Sequence, residues 1–395
     1  NTNITGWVSY ASTVNNVSYT NCKFDQGGYA GHRYYNKNIS FTECDFAEGF
    51  KIELKASGSN VAFTDADMTV ADVKALFKDP YYVAKGNVTL NGNPVLYAAS
   101  ANGKYYNTLQ ECIDDLPADG KNWYVTLRSD NVLTAPITIP ADKKMTFALN
   151  GFDITYTSDV QGEAMITNNG VLTIEGSDDD KVAYKFTGTP DTNYGKGNYT
   201  IYNNGTLTVE SGIVENTTDA MSHASYAINT GAGATLNIKG GKVLNLNGHA
   251  VRMVSFGTNV NNVNITGGYI EGTRALQVQL PGGATSTTKP EMNLSISGGE
   301  LKSNEATYNL AIYVYSNGQS AENLNVAVAG GTFNGDVAIN GTATQTMKPG
   351  AVKVSGGTFN GNYGVFSYAE DAVAVPVISI IGGTFASNYA EIYSY

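Results

Sequence analysis

Residues 352–362 read VKVSGGTFNGN, and the fold turns on what the two adjacent glycines do. Paired glycines can cradle a phosphate, but that use wants a helix N-terminus directly afterwards, and the residues that follow carry no helical pattern. The other reading is a corner. Val352 and Val354 alternate with polar residues, the period of a strand with one buried face. A glycine with φ > 0 then turns the chain without any ligand. Phe359 returns to the interior, with Phe333 and Phe385 as its counterparts in the flanking units. The same form recurs as LTVESG (207–212), LNIKGG (236–241), VNITGG (263–268), LSISGG (294–299), VAVAGG (326–331) and ISIIGG (378–383), with LTIEGS (172–177) as a looser copy. The last glycines stand at 212, 241, 268, 299, 331, 357 and 383, so the spacing runs from 26 to 32 residues. Constant anchors with variable lengths between them mean loops inserted at corners.

A second repeat precedes this one. NVSYTNCKF (16–24), NISFTECDF (38–46) and NVAFTDADM (60–68) align without gaps at a period of 22 residues. Strand, bend and strand repeated at a fixed period describe the coils of a β-solenoid. Coils stack about 4.8 Å apart, which places Cys22 over Cys44 in the interior. A disulfide is possible at that spacing; a ladder of buried thiols is the simpler expectation. The third cysteine, Cys112, is expected to pack in the core. Three Cys and three His fit no zinc-ligand spacing.

A further strand lies between the C-terminal anchors: YTIYN (199–203), YAIN (226–229), HAVRM (249–253), RALQV (274–278), LAIYV (310–314), VAIN (337–340) and YGVFS (363–367). With the anchor strand and the short strand after each glycine, this makes three strands per coil. Alternation puts Ile201, Ile228, Val251, Leu276, Ile312, Ile339 and Val365 inward. It puts Tyr202, Asn229, Arg252, Gln277, Tyr313, Asn340 and Phe366 outward, extended by Gln279, Tyr315 and Tyr368. The residue before each inward one is small: Thr200, Ala227, Ala250, Ala275, Ala311, Ala338 and Gly364. Small residues beside a polar-aromatic row read as a shallow track for sugar rings, which stack on aromatics and bond to amides. The competing reading is that Tyr simply favours strand surfaces.

Two helices are expected between the arrays. TVADVKALFKD (69–79) has Thr69 as N-cap and Val70, Val73, Leu76 and Phe77 on one side; YNTLQECIDDLPADG (106–120) has Thr108 as N-cap and Glu111 at the capping-box position. The apolar side of the second is Leu109, Cys112, Ile113 and Leu116.

The stretch from 106 to 155, followed by NNGVLTIEGS (168–177) and NNGTLTVESG (203–212), resembles right-handed parallel β-helix modules of the pectin-lyase-like superfold. It is most similar to repeats in large surface proteins of gut bacteria. The resemblance covers 105–395; the 22-residue units match any subfamily less well. It implies an all-β, right-handed parallel β-helix solenoid in two segments, 1–104 and 105–395, with short capping helices between them.

Charged residues are 15% of the chain and Gly is 44 residues, so the surface is built from Asn, Thr, Ser, Gly and Tyr, which suits a secreted, β-rich protein; the resemblance implies a location outside the cell or on the bacterial cell surface. A net charge of −11 argues against nucleic acid, and no apolar run is long enough for membrane insertion. The opening NTNITGWVSY is no signal peptide and reads as a mature product or a piece of something longer.

Enzymes of the resembled superfold cleave acidic polysaccharides, so a lyase or hydrolase is one hypothesis. A hydrolase needs paired carboxylates. Gly248-His249-Ala250 is a partial match to such a site, with Arg252 at the wrong spacing, and Asp178-Asp179-Asp180 reads as a solvated turn before Lys181. No G-x-S-x-G elbow occurs, His223 has no triad partners, and Gly195-Lys196-Gly197 is no phosphate loop. No catalytic residue, metal or cofactor is therefore expected. The expectation is a non-catalytic, adhesin-like module that binds glycans or host or cell-surface polysaccharide through Tyr202, Arg252, Gln277, Gln279, Tyr313, Tyr315, Phe366 and Tyr368. A polysaccharide lyase or glycoside hydrolase, and a structural spacer, are the alternatives.

Overall fold

The computed structural model describes residues 2–5, 15–25, 32–56, 58–189, 197–218, 224–255, 259–280, 290–307, 309–316, 321–341, 347–368, 378–389 and 392–394. The protein is all-β with long parallel sheets, and it divides into two compact units, Asn1–Cys112 and Ile113–Tyr395.

In the first unit the 22-residue repeat becomes strand register. Asn16–Thr20, Asn38–Thr42 and Asn60–Thr64 pair in parallel, with Val17 beside Ile39, Ile39 beside Val61, Tyr19 beside Phe41 and Phe41 beside Phe63. The sheet continues through Val88–Leu90. The alternate positions Ile39, Phe41, Val61 and Phe63 are buried, which stabilises each by about 1.5–3 kcal/mol over exposure. Tyr19, Phe41 and Phe63 stack face to face, with ring centroids 5.4 Å and 5.1 Å apart. The chain leaves these strands at Asn21, Glu43 and Asn91, all left-handed, with φ of 53°, 48° and 51°. Cys22 and Cys44 are both buried and both free, and each thiol donates to a backbone carbonyl, of Thr20 and Thr42 respectively.

The first predicted helix runs over Val70–Ala75, with a capping box between Thr69 and Asp72. Val73 and Phe77 are buried as expected, whereas Val70, in the first turn, is exposed. The second runs over Leu109–Asp115. Thr108 Oγ1 accepts from the Glu111 N–H, and Glu111 Oε2 accepts from the Thr108 N–H. Leu109, Cys112, Ile113 and Leu116 are buried. The helix stops short of 120 because Pro117 disfavours helical backbone at the residue before it.

In the second unit the anchors form one continuous parallel ladder, from Trp123–Leu127 through Val171–Glu175, Thr206–Val209, Thr235–Ile238, Val260–Ile265, Glu291–Ile296, Leu324–Val328 and Val352–Val354 to Ile378–Ile380. Leu207, Leu236, Val263, Leu294, Val326 and Val352 fall in one buried row. Two further ladders share an 18-stranded sheet. The strands Lys242–Val254 and Tyr269–Leu280 are long enough to belong to both.

The paired glycines have two separate causes. The second of each pair is left-handed, as expected for a corner, with φ of 85° at Gly299 and 105° at Gly357. The first packs against the previous repeat: a Cβ on Gly298 would overlap the Thr266 carbonyl oxygen, and one on Gly356 would overlap that of Ala329. After the corner, Phe333, Phe359 and Phe385 stack with centroids 4.8 Å and 4.7 Å apart.

Asp180 corrects the expectation of a solvated acidic turn. It is buried and accepts from the Ser177 N–H (2.9 Å), the Ser177 hydroxyl (2.6 Å) and the Gly151 N–H (3.0 Å). The carboxylate closes a corner, which is why a charge is tolerated there.

Candidate functional site

The outward row exists as register. Thr167, Tyr202, Asn229, Arg252, Gln277, Tyr313, Ala338 and Phe366 follow one another on neighbouring strands. Beside it run Val254, Gln279, Tyr315, Asn340 and Tyr368. Two corrections follow. A register shift between Leu310 and Ile312 leaves Ala311 as the extra residue, so Ile312 pairs with Val337. Ile339 then pairs with Val314 and Ser367, and Asn340 moves into the second row. The alternation of VAIN fits either register, so the bulge is decided outside the motif.

The second correction concerns the small residues. Thr200, Ala227, Ala250, Ala275 and Ala311 do not flank a shallow track; all are fully buried beside the inward row. The strand bends there, and two successive side chains face the core. Thr200 Oγ1 donates to the Glu215 carbonyl at 2.7 Å, so the site is crowded by neighbouring backbone.

The residue before the bend reaches the outer face at Tyr199 and Arg274, which are part-exposed, and not at Tyr226 or His249, which are fully buried. Tyr199 and Tyr202 lie together, with ring centroids 5.2 Å apart. Tyr199 stacks on Tyr226 at 5.7 Å. The Arg252 guanidinium lies over the Tyr226 ring, 5.2 Å from its centroid, and Arg274 lies 4.1 Å from the centroid of Tyr313. Tyr199 and Arg274, both part-exposed, are thus members of the outer face although alternation alone assigns them to the interior, while Tyr226 is buried. Their signal is visible as a column of large side chains, Tyr199, Tyr226, His249 and Arg274, at one fixed place before the inward residue.

Arg252 is held by amides. Its Nε and Nη2 donate to Gln279 Oε1 at 2.9 Å and 2.6 Å, and its Nη1 donates to Asn229 Oδ1 at 3.4 Å. Burial pushes the Tyr199 phenol up from its ordinary pKa, and the neighbouring Arg252 charge pulls it part of the way back. Tyr313 and Tyr315 stack at 5.8 Å, and Phe366 meets Tyr363 edge-on at 5.6 Å. Gln277 is buried, at 2% exposure, rather than presented to solvent. Its Oε1 and the Asn229 Nδ2 have no hydrogen-bond partner among the described residues. The Tyr368 side chain and His223 lie outside the described residues. His249 is fully buried, with Nδ1 2.9 Å from Thr273 Oγ1.

At the Tyr202 end the face opens into a cavity of about 490 Å³ lined by Gln161, Gly162, Ala164, Thr167, Gly197, Tyr199 and Tyr202. A cavity of about 470 Å³ in the first unit is acidic, with Asp45, Glu48, Asp65, Asp67 and Asp72 in its lining. Asp65 and Asp72 there accept local backbone N–H bonds. Among the described residues no group of three or more His, Cys, Asp or Glu is placed to hold a metal ion, and no helix is long and apolar enough to cross a membrane.

Comparison with protein-family models, with curated proteins and with solved structures gives no match.

Proposed function

We propose that residues 105–395 wind as a right-handed parallel β-helix of the pectin-lyase-like kind, with three strands per coil, and that residues 1–104 form a second solenoid segment. The protein acts outside the cell or on its surface, and the outer face that carries Tyr202, Arg252 and Tyr313 binds carbohydrate. One observation carries this reading: the part-exposed tyrosine rings at 199, 202, 313 and 315 share one face with the Gln279 amide and with Arg252. Sugar rings stack their C–H faces on such platforms, and their hydroxyls pair with amides.

The test is a glycan array probed with the native chain and with a Tyr202→Ala/Tyr313→Ala double variant. The native chain should bind a defined set of glycans, and the variant should lose at least about tenfold in affinity. Binding to no glycan leaves the spacer reading standing. Release of reducing or unsaturated ends from acidic polysaccharides would establish an enzyme instead.

A further inference from the structure

The cavity at the Tyr202 end is a partly open recess with a defined lining. Tyr199 and Tyr202 form two tilted walls, with an interplanar angle of 57°. Gly197 lets the Tyr199 ring pack directly against the backbone, because a Cβ there would strike the Tyr199 ring and hydroxyl. Gly162 is held by its N–H, which donates to the Asn198 side-chain oxygen at 3.1 Å. The Gln161 amide is fixed by donating Nε2 to the Thr189 carbonyl at 2.6 Å. Every polar group that these lining residues offer is an amide, a hydroxyl or backbone, and none is ionised. The nearby cation, Arg252, directs N–H groups at the oxygens of Gln279 and Asn229, and a chain with a net charge of −11 repels anions at long range. At about 490 Å³ the volume lies within the range of roughly 300–1,000 Å³ typical of small-molecule sites.

We propose, resting on the carbohydrate reading above, that this cavity seats the uncharged end of a glycan, about two sugar rings in extent. The strands beyond it, at Tyr313 and Tyr315, then add little to affinity. Neutrality follows from the lining, and short reach follows from the volume of about 490 Å³.

The experiment uses the full chain and calorimetric titration with neutral cello-, manno- and galacto-oligosaccharides, and with oligogalacturonates and sulfated oligosaccharides, each of about two to six rings. At least one neutral series should bind, with affinity rising less than about threefold beyond three rings and changing less than about twofold between roughly 50 mM and 500 mM NaCl. Tyr202→Ala should weaken it by about tenfold, Tyr202→Phe should retain most of it, and Tyr313→Ala should cost less than about threefold. Ala164→Phe, which fills the cavity, should abolish binding while far-UV circular dichroism and melting temperature stay as in the native chain. A preference for the acidic series with strong weakening by salt, an affinity that keeps climbing with length, or an equal loss in Tyr313→Ala would overturn the inference and leave the carbohydrate reading intact. Binding to none of these saccharides, together with a blank glycan array, would overturn both.

Discussion

In the first unit the chain turns between strands of the repeat at single residues, Asn21 and Glu43, each left-handed and each carrying a side chain, and at the Asn91–Gly92 pair. In the second it turns at Gly298–Gly299, Gly356–Gly357 and their equivalents. Both units stack parallel strands, so the difference lies in what the corner touches. The side chains of Asn21, Glu43 and Asn91 are exposed, and the Asn21 and Glu43 N–H groups donate to Thr42 and Thr64 at 2.9 Å. A single left-handed residue therefore suffices, at a modest backbone cost. In the second unit the first corner residue lies against the carbonyl oxygen of the preceding repeat, where no Cβ fits. The first glycine of each pair is there for space; the second is there for conformation and, at Gly241, Gly268 and Gly299, for space as well.

The largest expected effect breaks that distinction if it fails. Gly298→Ala should destabilise the protein by about 3–5 kcal/mol, since backbone must move away from Thr266. Gly92→Ala in the first unit, with φ of 80° and nothing within 4 Å of a new Cβ, should cost only about 1 kcal/mol. Urea unfolding of the two variants beside the native chain measures both. Equal losses would refute the close-approach account.

A second contrast lies between two buried aspartates of the second unit. At Asp180 burial pushes the carboxyl up, but the bonds from Ser177 and Gly151 more than reverse it, and its pKa lies below the ordinary value. Asp180 therefore contributes stability above the unfolded-state pKa of about 3.9, and that contribution is lost as pH falls through the lower folded value. At Asp336 burial is the larger effect, and the N–H groups of Tyr363, Gly364 and Asn362 offset it only in part, so its pKa is raised. Its contribution has the opposite sign: stability is lost as pH rises from the ordinary carboxyl range through the raised folded value. Asp180→Ala should cost about 2–3 kcal/mol at neutral pH. Asp336→Asn, whose amide oxygen still accepts from Tyr363 and Gly364, should stabilise at pH 7 and not at pH 3. Melting temperature against pH for both variants decides it, and a destabilised Asp336→Asn at pH 7 would contradict the sign.

The smallest effect sharpens the account of the first unit. Glu43→Asn places at the second corner the residue already present at Asn21 and Asn91. Asn tolerates left-handed backbone better than Glu, so the variant should gain about 0.5 kcal/mol, read as a small rise in the urea midpoint at constant slope.

The parallel rows were legible because each is a repeated period-2 pattern: Val17, Ile39 and Val61 in one array, and Leu236, Val263 and Leu294 in the other, read directly as neighbours. The helix caps at Thr69 and Thr108 were legible for the same local reason. The candidate site was legible only in part. Tyr202, Arg252 and Tyr313 do share a row, and Arg252 does meet Gln279. The places of Tyr199 and Arg274 were hidden by the bend at Thr200 and Ala275, because alternation fails wherever two successive residues face the core. The place of Asn340 was hidden by the bulge at Ala311, because Val337 and Ile339 satisfy the pattern equally well.

Sequence alone determined the strand type, the two repeat periods, the inward rows and the need for a left-handed glycine at the corners of the second unit, since these depend on local pattern and backbone sterics. Tertiary structure alone decided why a second glycine stands beside the first, why Asp180 is buried, and which tyrosines meet around the cavity. Each of these depends on what the neighbouring repeat places within a few ångströms, and that distance is not written in any one repeat.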